Sequence, residues 1–198
     1  HDAEVKGTSL EIQIAAREIG VLSTYGAQSE ATALAAEYLT RFAGREGAWV
    51  LHMALANISH DRGDLREKLF QTEAALLGLQ AERGPASMEL DLMTFLAGGI
   101  VQASDRTRWS RLPALLDRAD ALATSLEIFS ISHRIGVARA LLLMHRGELR
   151  EAERYLKMTR HSAERSGELR RAHFIDSSLF IIAREAGEYQ AALLAIPH

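Results

Sequence analysis

A short turn of glycine, an acidic residue and a large apolar residue recurs along this 198-residue chain and limits how it can fold. It reads RGDL at 62–65, RGEL at 146–149 and AGEY at 186–189. The first two glycines are 84 residues apart, twice 42, and the last two are 40 apart. A polar turn near 105 and a turn at Gly26, 37 residues before Gly63, extend the series. This spacing predicts five successive units of about 40 residues.

Each unit is predicted to be a pair of antiparallel helices. Apolar residues recur at three- and four-residue spacing, and the chain has only three prolines. Glycine accepts the left-handed backbone that ends a helix, and a carboxylate after it can cap the next one. We predict helices at about 9–24, 28–43, 47–61, 64–82, 86–104, 108–126, 128–146, 148–165, 168–186 and 188–196.

The fold class is therefore predicted to be all-α. Neither helix of a pair can bury its apolar face alone, so pairs are expected to stack into a solenoid of about five antiparallel pairs. The predicted repeats, within a single domain at 1–198, are 9–43, 47–82, 86–126, 128–165 and 168–196.

Two segments carry a family resemblance: Gly147-Glu148-Leu149-x-x-Ala152-x-x-x-Leu156 and Gly187-Glu188-Tyr189-x-x-Ala192-x-x-x-Ile196. They resemble the turn and second helix of tetratricopeptide repeats, and Leu55-Ala56 and Ala140 resemble the small-residue contact on the first helix. HEAT and armadillo repeats overlap in period, but the turn favours the tetratricopeptide interpretation. The period of about 40 is similar to that of the arrays in MalT-type transcription activators of the LuxR family.

The resemblance implies a right-handed α-α superhelix that serves as a non-catalytic interaction or sensor domain of a bacterial regulatory protein in the cytoplasm. The sequence departs from the repeat pattern in places. Lys68 and Thr72 stand where small and large apolar residues are expected, and Phe180 stands where a small residue is expected.

Composition excludes several classes of function. The formal net charge is −3, whereas domains that neutralise a polyphosphate backbone are usually basic. The absence of cysteine removes disulfides, thiolate metal sites and cysteine nucleophiles. The longest apolar runs, such as 140–144 and 178–183, are far shorter than the roughly 20 residues of a membrane-spanning helix. We expect no membrane contact and no direct binding of nucleic acid by this segment.

Motifs for catalysis or cofactor binding are not found. The sequence contains no G-x-S-x-G, G-x-x-x-x-G-K-[ST] or G-x-G-x-x-G, and AGG at 97–99 is more simply a point of close helix packing. His52 and His60 share a helix face without an H-E-x-x-H motif, and His133 and His173 occupy equivalent places in successive repeats. We predict no enzyme, cofactor or metal site, and solvated or groove-lining histidines.

Basic residues form two clusters, with carboxylates interleaved: Arg106, Arg108, Arg111 and Arg118 around Trp109, and Arg160, His161, Arg165, Arg170 and Arg171. Such charge at turns usually marks a solvated edge, and an acidic protein surface is the favoured partner if the clusters bind one.

The first helix of each pair is expected to line a groove. The residues predicted to face a protein, peptide or small effector are Gln13, Met53, Asn57, His60, Thr94, Val101, Arg134, Leu141, His145, Phe174, Ser177, Ile181 and Arg184. Amides can pair with a peptide backbone, arginines with carboxylates, and the apolar members supply contact area.

The chain starts at His1 and ends at His198 within an apolar pattern, so we expect a fragment of a longer protein. The edge formed by Tyr189, Leu193, Leu194 and Ile196 would then be covered by a further repeat or form a dimer contact. The alternative to a sensor is an assembly scaffold that self-associates as a homodimer and binds no effector, and an unrecognised enzyme is the third reading.

Overall fold

The computed structural model of the protein describes the backbone of residues 2–103, 106–128, 131–165, 167, 169–185 and 187. Within these ranges it does not describe the side chains of 2–9, 106, 169–174 and 185. The helices are α1 (Asp2–Thr24), α2 (Gln28–Arg41), α3 (Trp49–Asp61), α4 (Leu65–Ala81), α5 (Ala86–Ala103), α6 (Arg106–Trp109), α7 (Leu112–Ser125), α8 (Ser132–His145), α9 (Leu149–Arg165) and α10 (Leu169–Glu185).

The all-α prediction is confirmed, since no strand occurs in the described ranges. None of the helices described is long and apolar enough to cross a lipid bilayer. Two predicted helices differ from the structure. The first begins at Asp2 rather than near residue 9, and the helix predicted at 108–126 is divided into α6 and α7. The predicted helix at 188–196 lies outside the described residues.

Pro113 explains where α7 starts. It lies in the first turn of α7 and has no N–H to donate to the turn before it. A helix with proline in its interior would lose one backbone hydrogen bond and clash with the preceding carbonyl group. The apolar pattern of this segment continues across the break, so periodicity alone did not reveal it.

The recurring glycine turn closes helices in the predicted way. At the end of α3, Gly63 has φ of +73° and the Asp64 N–H donates to the Ser59 carbonyl at 2.8 Å. At the end of α8, Gly147 has φ of +78° and the Glu148 N–H donates to the Leu143 carbonyl at 3.0 Å. The Asp64 carboxylate accepts from the Glu67 N–H at 3.0 Å and so caps α4. Both the glycine role and this cap are confirmed.

Two other helices end with the same hydrogen-bond pattern but without glycine. Arg83 after α4 and Glu127 after α7 have φ of +52° and +56°. The residues that follow them donate to Leu79 and Ala123, both at 2.9 Å. A side chain at such a position is strained by its Cβ atom, so these two turns cost energy that the glycine turns avoid.

Residues 1–103 form one compact unit that contains α1 to α5. Helix α1 contacts α2 and α3, and α3, α4 and α5 pack in sequence. One core cluster of this unit lies on α1, α2 and α3 and includes Ile12, Ile19, Phe42 and Leu51, and α4 and α5 also carry buried apolar residues. This packing of consecutive helices leaves one side of α3 and α5 exposed to solvent.

Residues 104–198 form the second compact unit, with α6 to α10. Helix α8 contacts both α9 and α10, and the core includes Ala140, Leu156, Ile175 and Ile182. The boundary between the units falls within the repeat predicted at 86–126. The right-handed superhelix and the single domain at 1–198 remain predictions.

Candidate binding surface

The predicted groove residues of α3 lie on its solvent side. Asn57 and His60 are exposed, and Met53 is half-buried. On α1, Gln13 is exposed, beside the start of α3 in a cavity of about 350 Å³ that Trp49 and Glu82 also line. The side chains of Asn57 and His60 are therefore accessible from solvent.

On α5 the predicted register is displaced by one residue. Thr94 is 7% exposed and its hydroxyl donates to the Asp91 carbonyl at 2.9 Å, so this predicted groove residue is unavailable to a partner. Val101 is half-buried. One position further on from each, Phe95 is half-buried and Gln102 is exposed. A displacement of one residue rotates the exposed face by about 100°.

The sequence interpretation noted Lys68 only as a departure from the repeat pattern and did not place it beneath this surface. Lys68 of α4 is 2% exposed. Its ammonium lies between side chains of α3 and α5. The ammonium lies 3.3 Å from His60 Nδ1 and donates to Gln102 Oε1 at 3.3 Å. It also lies 4.2 Å from the centre of the Phe95 ring, in a cation–π contact. We call His60, Lys68, Phe95 and Gln102 the Lys68 site.

The His60 and Phe95 rings contact each other beside the Lys68 ammonium. Their centroids are 5.5 Å apart and the planes meet at 79°, an edge-to-face contact. Because the Lys68 ammonium can only donate, His60 Nδ1 must present its lone pair there, which places the imidazole proton on Nε2. That N–H then points away from Lys68 and is free to meet a ligand.

Among the described residues, no carboxylate forms an ion pair with Lys68. Within the described part of the chain, the Lys68 ammonium contacts the His60 imidazole, the Gln102 amide and the Phe95 ring, all of which are uncharged or only partly charged partners. Burial away from water lowers the pKa of the Lys68 ammonium from its usual 10.5, and no opposite charge offsets that effect. The site therefore holds a cation whose hydration is only partly replaced.

Gly99 lets α5 approach α4 at this point. A Cβ atom built on Gly99 would lie 2.8 Å from Leu69 Cδ2 and 3.5 Å from Lys68 Cε. The neighbouring Gly98 has nothing within 4 Å of the same position. The prediction that AGG at 97–99 marks close helix packing is thus confirmed for Gly99.

His52, on the same helix as His60, belongs to a separate polar chain. Gln71 donates its Nε2 hydrogen to Glu67 Oε1 at 2.7 Å, and its Oε1 lies 2.6 Å from His52 Nδ1. That oxygen can only accept, so His52 carries its proton on Nδ1, whereas His60 carries it on Nε2. The two histidines face different partners. The described residues contain no group of three or more His, Asp or Glu side chains placed to hold a metal ion.

In the second unit the predicted residues have mixed environments. Arg134, Ser177, Ile181 and Arg184 are exposed, and half-buried Leu141 packs against the core. His145 is exposed and meets the Trp109 ring edge-on, with centroids 3.8 Å apart. The side chain of Phe174 lies outside the described residues. No comparable cluster gathers these residues into one site.

Several members of the two basic clusters are engaged inside the fold. Arg160 donates to Asp176 of α10 and pairs with Glu164 at 2.7 Å. The hydrogen bond to Asp176 raises the pKa of Arg160. Arg108, Arg111 and Arg118 each have an interaction within the fold. The side chains of Arg106, Arg170, Arg171 and His173 lie outside the described residues.

The Lys68 site is suited to binding a carboxylate beside an aromatic ring. The sequence matches no protein-family model and no curated protein.

Proposed function

We propose that this chain is a non-catalytic interaction and sensor domain of a bacterial regulatory protein. It binds a protein segment or small effector through a carboxylate that contacts the Lys68 site. The observation that carries this proposal is the Lys68 ammonium, buried without a carboxylate partner under the face that the sequence predicts for binding. A ligand carboxylate supplies the missing opposite charge.

Access to Lys68 is through a side chain that can move. Gln102 is exposed, and its contact with the ammonium is a single hydrogen bond of 3.3 Å. A carboxylate that displaces the Gln102 amide would replace a neutral acceptor with a charged one, which forms the stronger hydrogen bond. The Nε2–H of His60, which points away from Lys68, can donate to a further acceptor of the same ligand. Asn57, one turn before His60, can pair with an adjoining peptide group.

Signalling then follows from a population shift. A ligand that binds one conformation of the domain better than another favours that conformation, and an attached domain reads the change. The ratio of the ligand's affinities for the two conformations sets the largest shift in their populations.

The test uses a library of peptides made in pairs, each with a free C-terminal carboxylate or a C-terminal amide. We expect peptides that bind the full chain as carboxylates and lose at least tenfold in affinity as amides. Lys68→Met and Asn57→Ala should reduce that affinity, since both alter the binding face. Arg66→Met is the matched control, because it removes the same charge from an exposed site on the same helix, α4. Equal affinity of the wild-type chain and Lys68→Met for every peptide would refute the proposal.

A second candidate, self-association, is favoured by one feature of α1. Leu10, Ile14 and Val21 lie on one face of this helix, Tyr25 directly follows its last residue, and the four are 56%, 58%, 49% and 85% exposed. Their spacings of 4, 7 and 4 keep them in one stripe. A contiguous exposed apolar stripe is typical of protein contact sites, and a second copy of the chain would cover it.

Light scattering coupled to size-exclusion chromatography tests this second function. A dimer that Ile14→Arg dissociates would support it. Leu77→Arg is the matched control, since Leu77 is 67% exposed on α4. A monomer at all concentrations would leave effector binding as the function.

A further inference from the structure

One face of α9 carries only basic residues. Arg150, Arg154, Lys157, His161 and Arg165 follow one another at spacings of 4, 3, 4 and 4 and are all exposed. Residues at these spacings lie on the same side of a helix. The 15 residue steps from the first to the last span about 22 Å of helix axis. We call this set the basic stripe.

The opposite side of α9 is occupied by the fold. Ala152, Leu156 and Ala163 are buried in the core, and Arg160 bonds to Asp176 of α10. The basic stripe is therefore the face that packing leaves to solvent.

The carboxylates near the basic stripe neutralise only part of its charge. Glu151 pairs with Arg154 at 2.8 Å, and Glu153 pairs with Lys157. Such exposed pairs within one helix are weak and exchange readily for a better partner. Arg150, His161 and Arg165 have no ionic or hydrogen-bond partner in the part of the chain that the structure describes.

The basic stripe also borders an exposed apolar side chain. Met158 follows Lys157 on α9 and is 66% exposed, which places an apolar contact beside the charges. Charges in a row with an apolar edge match an amphipathic partner better than a bare polyanion.

We propose that the basic stripe binds an acidic helical segment of a protein partner, with carboxylates at the same 4-3-4 spacing. Glu151 and Glu153 lie among the basic residues and would repel a continuous phosphate backbone. A helical partner can place its carboxylates between them. The net charge of −3 for the whole chain also favours a protein partner over nucleic acid. This surface is separate from the Lys68 site and its test is independent.

The experiment compares two helical peptides of identical composition, each with four glutamates. In the matched peptide the glutamates follow the 4-3-4 spacing and a leucine flanks them, and in the scattered peptide they are spread around the helix. Binding to the full chain is measured by fluorescence anisotropy at about 0.01 M salt, where the Debye length is about 30 Å. We expect the matched peptide to bind at least tenfold more tightly than the scattered one.

The variant Arg150→Glu/Arg165→Glu should abolish that tenfold preference. Its matched control is Arg17→Glu/Arg66→Glu, which changes the net charge equally at two exposed residues of α1 and α4. Equal binding of both peptides would overturn the proposal and show a solvated basic face. Tighter binding of a twelve-nucleotide thymidine strand than of the matched peptide would also overturn it, in favour of phosphate recognition.

Discussion

Replacing Lys68 with methionine removes a buried charge while keeping an unbranched side chain of similar length. We expect the substitution to raise the free energy of unfolding at pH 7 by about 1–2 kcal/mol. Burying an ammonium costs several kcal/mol after relaxation of the protein. The contacts that offset this cost are one cation–π contact at 4.2 Å and two hydrogen bonds at 3.3 Å. Together they return about 2–3 kcal/mol.

The partners that Lys68 leaves behind add little to the balance. His60 and Gln102 are exposed, so water can replace the ammonium at both. Methionine also retains the packing beside Gly99, where the lysine stem approaches α5. The desolvation free energy that Lys68→Met removes should therefore exceed the stabilisation lost with the contacts of the ammonium.

Urea denaturation followed by circular dichroism measures the effect, with Lys157→Met as the control. Lys157 is exposed and paired within its helix, so its loss should change the free energy of unfolding by less than about 0.5 kcal/mol. If Lys68→Met lowered the free energy of unfolding by more than about 1 kcal/mol beyond the effect of the control, the reasoning would be refuted. It would show that the ammonium is held by its contacts and serves the fold.

The pH dependence of the free energy of unfolding provides an independent test of the buried charge. The folded-state pKa of Lys68 lies below the value of 10.5 in the unfolded chain. Between these two values the unfolded chain binds more protons, so wild-type stability rises with pH in this window. The advantage of Lys68→Met should be largest below the folded-state pKa and disappear as the pH approaches 10.5. A constant difference between pH 7 and 10.5 would contradict the lowered pKa.

Three further predictions concern packing and turns, and denaturant unfolding checks each of them. Gly99→Ala should destabilise the protein by about 1–2 kcal/mol through its clash with α4, whereas Gly98→Ala, with open space, should stabilise it by about 0.5–1 kcal/mol; equal effects would exclude the close contact. Glu127→Gly should gain about 0.5–1 kcal/mol by relieving its positive φ, and Gly63→Ala should lose about 1 kcal/mol for the opposite reason; no gain at Glu127 would show an unstrained turn. Ala140→Phe should cost about 1–3 kcal/mol because the residue is fully buried, and an unchanged stability would contradict that packing.

The helices and their ends were predictable because they depend on local chemistry. Gly63 and Gly147 end helices through a backbone conformation that glycine adopts without strain, and Asp64 caps the next helix with its own side chain. The break before Pro113 was not predicted, since the apolar pattern runs through it. Arg83 and Glu127 show that the same turn also forms without glycine, which no residue pattern revealed.

The binding surface was predictable only in part, because it depends on how helices rotate against each other. Asn57 and His60 of α3 are exposed as expected, but the same register fails on α5 at Thr94. Lys68 was recognised as a departure from the repeat pattern. Lys68 contacts Phe95, 27 residues later in the chain, and Gln102, 34 residues later. A local residue pattern does not predict contacts between positions so far apart.

The division of the chain after residue 103 has a practical consequence. Each compact unit contains one of the two tryptophans, Trp49 in the first and Trp109 in the second. Replacing either with phenylalanine leaves a single optical reporter that follows the melting of one unit alone. Noncoincident unfolding curves from the two variants would reveal two cooperative blocks, and an energetic change at Lys68 would then be assigned directly to the block that contains it.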